Sequence, residues 1–143
     1  MKIAIGSDHA GLEMKELLKQ YLVDSFKAEI IDVGTKTLES TDYPIYGKKV
    51  GELVAKKQVN YGLVICGTGI GISIAANKVK GVRAALCYDA YTAIMARKHN
   101  NANVLALGSR TTLLENAQVI VDFFFKTEFE GGRHEKRVQL IES

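Results

Sequence analysis

Apolar residues in this chain gather in five short runs, at positions 3–6, 29–33, 62–66, 82–87 and 103–108. Each run is close to continuous in Ile, Val, Leu or Ala rather than alternating with polar residues. That pattern suits strands covered on both faces. The stretches between them have helical spacing instead. Leu12, Leu17, Leu18 and Tyr21 recur at three- and four-residue steps, and positions 46–57 and 113–125 behave likewise. Pro44, the sole proline, falls where it can open the second long helix, since a first-turn position tolerates a missing N–H. Strands alternating with helices predict right-handed βαβ units and a parallel sheet. The expected architecture is a three-layer α/β/α sandwich with a five-stranded parallel, Rossmann-like sheet, in one domain spanning 1–143. The order of the strands stays open.

In such sheets ligands bind beyond the carboxyl ends of the strands. Three of those ends carry capable side chains: Ser7-Asp8-His9, Cys66-Gly67-Thr68-Gly69-Ile70-Gly71, and Gly108-Ser109-Arg110. The segment from Cys66 to Ser73 is the most informative. Glycines at alternate positions after a strand let backbone N–H groups approach a ligand, and the helix that follows adds its positive end. The spacing is GxGxG rather than the GxGxxG of dinucleotide-binding turns, and no Walker-type lysine follows. A glycine turn used only for packing would read the same. Cys66 sits where this loop would favour a thiolate, although a buried structural thiol is the commoner fate of a cysteine at a strand end. Cys87 fits that commoner fate and is given no role.

The chain has three histidines: His9 in the crevice, His99 at the far end of the helix before the last strand, and His134. For any of them a surface or capping position is the default. Arg133 and Arg137 are four apart and share a face if their segment is helical, which would suit a phosphate dianion as well as solvent. No set of His, Cys or Asp has ligand spacing on one element, so no metal is expected. Composition narrows the classes further. A net charge of +3 with dispersed basic residues does not indicate a nucleic-acid partner, and most lysines lie on helix faces that read as solvated. No apolar stretch nears the ~18 residues that would span a bilayer, and no secretory leader is expected. Two cysteines without CxxC spacing fit a reducing cytoplasm.

Taken in order, several motifs resemble the type-B ribose-5-phosphate isomerases and the related allose- and galactose-6-phosphate isomerases. They are Ile5 to Gly11, Thr41-Asp42-Tyr43-Pro44, Cys66 to Lys78, His99-Asn100, Asn103 to Arg110, and Glu130 to His134. The resemblance implies a homodimer or dimer of dimers with sites at the subunit interface. It also implies catalysis without metal or nucleotide, on a small sugar phosphate of the non-oxidative pentose phosphate pathway. Carried over, Cys66 would be the base between C1 and C2 and His99 the acid that opens the furanose ring. Gly67, Thr68, Gly69, Ile70 and Gly71 would hold the enediolate oxygen. Asp8 and Asn100 would hold sugar hydroxyls, and His9, Arg110, Arg133 and Arg137 the phosphate. A branch of the family uses a glutamate base on this loop, where this chain has Ile72, which places it in the cysteine branch. Allose or galactose phosphates are the alternative substrates, and a noncatalytic binding module is the rival of another class. Topology adds one expectation. A helix after the fourth strand runs back toward the amino edge, leaving His99 on the order of 15 Å from Cys66 in one subunit, so a second subunit would have to supply it.

Overall fold

A computed structural model describes residues 1–143. The apolar runs form β1 (Lys2–Ser7), β2 (Glu29–Asp32), β3 (Tyr61–Cys66), β4 (Ala84–Leu86) and β5 (Val104–Gly108). All are parallel, in the order β2-β1-β3-β5-β4. Between and after them run α1 (Leu12–Phe26), α2 (Tyr43–Ala55), α3 (Ile70–Asn77), α4 (Ala90–Asn100), α5 (Leu114–Lys126) and α6 (Arg133–Glu142). Pro44 lies in the first turn of α2, as its geometry favours.

The central strands explain their own composition. Ile3, Ile5, Leu63, Ile65, Leu105 and Leu107 point to one face, where α1, α4 and α5 bring Leu18, Leu22, Ala93, Ile120, Val121 and Phe124. Ala4, Val64 and Ala106 point to the other, against Val50 and Val54 of α2 and Ile72 and Ala76 of α3. A strand covered twice must be apolar at every position, so alternation is lost. β4 is shorter than its apolar run: Val82 and Cys87 lie outside the ladder, and the strand has one neighbour only. β2, the other edge, is half-exposed. No helix is long and apolar enough to cross a membrane.

Lys15 departs from the expectation that most helix-face lysines are solvated, and Arg97 is a second buried cation. Lys15 is fully buried, with Nζ 2.6 Å from Asp32 Oδ2. Lys19 and Lys36 approach the same oxygen at 2.7 and 3.0 Å, and the Gly34 N–H donates to Oδ1. Burial works against the Asp32 charge, but these donors outweigh it and hold the carboxyl well below the usual range. The stability it contributes is present above the ordinary carboxylate pKa and is lost as pH falls. The Thr35 N–H then donates to Ser7 O, fixing the β2 exit beside the end of β1.

Arg97 secures the opposite edge of the sheet. It is 4% exposed and donates to Ala102 O (2.6 Å), Asn101 Oδ1 (3.0 Å), Thr127 O (3.1 Å) and the Tyr61 hydroxyl (3.2 Å). Its guanidinium also lies over the Tyr61 ring. It thereby locks the last turn of α4, where Asn101 adopts a left-handed cap at φ 45°. Arg97→Ala takes this donor from the buried Ala102 carbonyl and the part-buried Thr127 carbonyl, and we expect a loss of about 2–4 kcal/mol in denaturant unfolding.

Candidate active site

Strand order reverses direction between β1 and β3, and a cavity of about 500 Å³ opens beyond their carboxyl ends. Asp8, His9, Tyr43, Cys66, Thr68 and Arg110 line it, together with the backbone of Gly67, Ile70 and Gly71. The three motif-bearing strand ends thus meet because β1, β3 and β5 are the three adjacent central strands.

The turn after β3 is shaped by contact with the end of β5. Ser109 N–H donates to Cys66 O and Arg110 N–H to Gly67 O, both at 2.9 Å. The Ser109 hydroxyl donates to Ala10 O at 2.8 Å, tying in the β1 exit. Gly69 has φ +77°, and a Cβ there would stand 2.8 Å from the Leu107 carbonyl carbon. Only glycine fits both constraints. Its N–H donates to Cys66 Sγ at 3.2 Å, so the sulfur of this buried residue has a fixed donor. Thr68 Oγ1 accepts from Ile70 N–H at 3.2 Å, which leaves the hydroxyl proton free to donate. The first-turn N–H groups of Gly71 and Ile72 are among those an α-helix leaves without intrahelical partners.

Asp8 is buried, and one carboxylate oxygen caps the turn after β1 by accepting from Gly11 N–H at 3.1 Å. His9 Nδ1 accepts from Thr41 N–H at 3.1 Å. That bond assigns the proton of the neutral ring to Nε2, which is then available to an oxyanion. Arg110 lies over Gly67, its Nη1 3.1 Å from where a Cβ would be.

His99, Asn100, Arg133 and Arg137 do not line this cavity. His99 and Asn100 occupy the last turn of α4. Their turn is fixed at the amino edge: Arg83, just before β4, donates from Nε to Asn100 O at 3.0 Å and from Nη2 to Asn101 O at 2.9 Å. Eleven residues of helix separate that edge from the carboxyl edge, roughly 16 Å. Arg133 and Arg137 are exposed on α6, which packs on α4. The two expected groups of residues thus lie at opposite edges of one sheet.

His134 is not a surface residue. It is 3% exposed, and its ring stacks on that of His99 with centroids 4.1 Å apart and planes at 13°. Burial, then His99 and Arg133, press its pKa below the ordinary histidine value. Donor atoms of His99, Glu130 and His134 lie within 4.8 Å of one another. Rings so nearly parallel aim their in-plane lone pairs side by side rather than at a common point, so the cluster is a stack and not a chelate. The sequence pattern pointed to no metal because these donors come from two separate segments. Tyr43 was also missed as a cavity residue: its ring lies where a Cβ on Gly71 would be, 2.5 Å away. Its place in the Thr41–Pro44 motif was the available signal. Cys87 is buried, and burial pushes its thiol up to about 12, in keeping with a packing role.

The ribose/galactose isomerase family model matches residues 3–141. The chain belongs to the ribose/galactose isomerase family. Among its relatives in the family, ribose-5-phosphate isomerase B of Escherichia coli K12 is 49% identical over 98% of this chain and 93% of its own length. The Clostridium thermocellum ribose-5-phosphate isomerase B structure superposes with a TM-score of 0.97 at 53% identity, covering 99% of this chain and 95% of that one. That of Mycoplasma genitalium, solved with ribulose 5-phosphate bound, gives 0.94 at 43% identity over 99% and 93%.

The cavity geometry yields a test independent of any substituted chemical group. Gly69→Ala forces a left-handed residue to carry a Cβ into Leu107 and withdraws the N–H from Cys66. We expect isomerase turnover to fall about 100-fold, the scale of losing one oxyanion-type donor, in steady-state assays.

Proposed function

We propose that this chain interconverts ribose 5-phosphate and ribulose 5-phosphate through an enediolate, in sites that two copies of the chain build together. The observation that carries the reading is Cys66, held by the Gly69 N–H at the floor of a cavity whose other donors suit a sugar phosphate. His99 donates a proton to the ring oxygen as the C1–O bond breaks, and the C1 hydroxyl proton passes to water, from which His99 is reprotonated, leaving the open aldehyde. The Cys66 thiolate then removes the C2 proton and the electron pair moves onto the C1 oxygen. Thr68 Oγ1 and the N–H groups around Gly71 hold that charge. Return of the proton from Cys66 to C1, with the O2 hydroxyl proton passing to O1, completes the ketose. Protons and electrons balance, and no acceptor is consumed.

Asp8 and Asn100 hold sugar hydroxyls in this scheme. His9 Nε2–H, Arg110, Arg133 and Arg137 grip the phosphate, supplying binding energy remote from the reacting carbons. Supporting the two-copy arrangement, His99 and Cys66 lie at opposite edges of one sheet, farther apart than a side chain reaches. Apolar side chains around the cavity rim are exposed too: Ile70 at 52% and Ile74 at 56%, with Tyr88 and Tyr91 near 70% on the β4 side. A two-fold pair of chains would cover such surface and bring the α4–α6 end of each chain to the crevice of the other. Action in the cytoplasm fits two free, buried thiols.

Three measurements test the reading. Comparison of ribose, allose and galactose phosphates should show the pentose phosphate turned over fastest; a hexose preference would replace the substrate and keep the reaction class. Cys66→Ala should lose at least about 1,000-fold in kcat while still binding substrate, whereas Cys87→Ala stays near normal. Inactive Cys66→Ala and His99→Ala chains, mixed under conditions that exchange subunits, should regain activity, because a mixed pair contains one intact site. Proven exchange without recovery would show that His99 acts within its own chain or not at all.

A further inference from the structure

We propose that His134 is a positioning residue for ring opening, its ring being the platform that sets the plane in which His99 presents its proton. This rests on the isomerase reading and adds a residue to it. The two imidazoles lie face to face, 4.1 Å between centroids and 13° from parallel. His99 is half-buried and would otherwise be free to rotate, while His134 beneath it is 3% exposed. The platform is itself anchored. Glu130 N–H donates to Lys98 O at 3.1 Å, one residue before His99, and His134 N–H donates to Gly131 O at 3.1 Å. Gly131 and Gly132, at φ +69° and +56°, make the turn that starts α6 and brings His134 under α4.

Face-to-face packing excludes a proton relay, because neither ring can point an N–H at a lone pair of the other. His134 Nε2 is buried with no hydrogen-bond partner, and the Glu130 carboxylate stands 3.8 Å from it. What His134 contributes is therefore a flat, uncharged surface. Burial, with His99, Arg133 and Arg137 adding positive charge against the single opposing Glu130, favours the neutral ring. A neutral platform does not repel His99 when that ring carries the proton. Arg133 and Arg137 belong to the same helix, so the residues assigned to the phosphate and the support of the ring-opening acid move as one unit.

The experiment uses the full chain with His134→Ala and His134→Phe. Two reactions are followed: turnover of ribose 5-phosphate, and exchange of the C1 hydrogen of ribulose 5-phosphate with deuterated water. Ribulose 5-phosphate carries its phosphate on the C5 oxygen and cannot close a five-membered ring, so its exchange needs the Cys66 half-site and no ring-opening acid. His134→Ala should lower ribose 5-phosphate kcat about 10- to 100-fold, within the span a general acid supplies, with KM and C1 exchange within about threefold of the unsubstituted protein. His134→Phe should recover most of that kcat, since a phenyl ring keeps the flat face and Nε2 has no bond to lose. Unchanged kcat in His134→Ala overturns the proposal, as does an equal fall in turnover and exchange, which a merely structural role would give. A Phe variant as slow as Ala also overturns it, because the ring nitrogens would then be what matters. Absence of ribose 5-phosphate turnover in the unsubstituted protein would overturn the isomerase reading itself.

Discussion

In a parallel sheet every strand points the same way, so each helix that follows a strand must run back to the edge where the next strand begins. The chemistry of this protein is distributed by that constraint. Strand ends deliver Asp8, His9, Cys66 and Arg110 to the carboxyl edge. The return helix α4 delivers His99 and Asn100 to the amino edge, and α6 packs beside them with two arginines. Cys66 and His99 cannot be adjacent under this rule within a single copy. The remaining features of the fold serve one edge or the other: the Ser109 bonds shape the carboxyl side, and Arg97 fixes the turn on the amino side.

The parts that the sequence reveals are those governed by local rules. Central strands are covered twice, so positions 3–6, 62–66 and 103–108 are almost wholly apolar and stand out at once. The Cys66 turn stands out because its glycines answer a backbone need, the left-handed Gly69 above all. What stayed hidden depends on partners distant in the chain. Lys15 looks like any helix lysine until Asp32, seventeen residues on, meets it in the interior. His134 sits in a charged segment that reads as surface, and only the packing of α6 on α4 buries it against His99. β4 was overestimated because apolar residues around an edge strand can serve turns and packing as well as a ladder. The order of strands leaves no local trace at all.

The two edges also differ in how they are built. Around Cys66 the backbone leads: a glycine turn bonded to a neighbouring strand end, with the side chains of Asp8, His9, Thr68 and Arg110 set about it. The α4–α6 side relies on long or rotatable side chains, His99 and two exposed arginines, standing on a stacked imidazole and a buried guanidinium. On the proposed reading, electrostatic stabilisation of a short-lived oxyanion would call for the first kind of construction.

Such a division has a consequence for a newly made chain. On the two-copy reading, a lone chain carries a base with no acid near it and an acid with no base. It is catalytically silent until it meets another, without any pro-segment or inhibitor to keep it so. Activity per chain then depends on how concentrated the chains are, falling on dilution as pairs come apart and returning when they re-form. The direction of a helix thereby turns the abundance of the protein into a control on its chemistry.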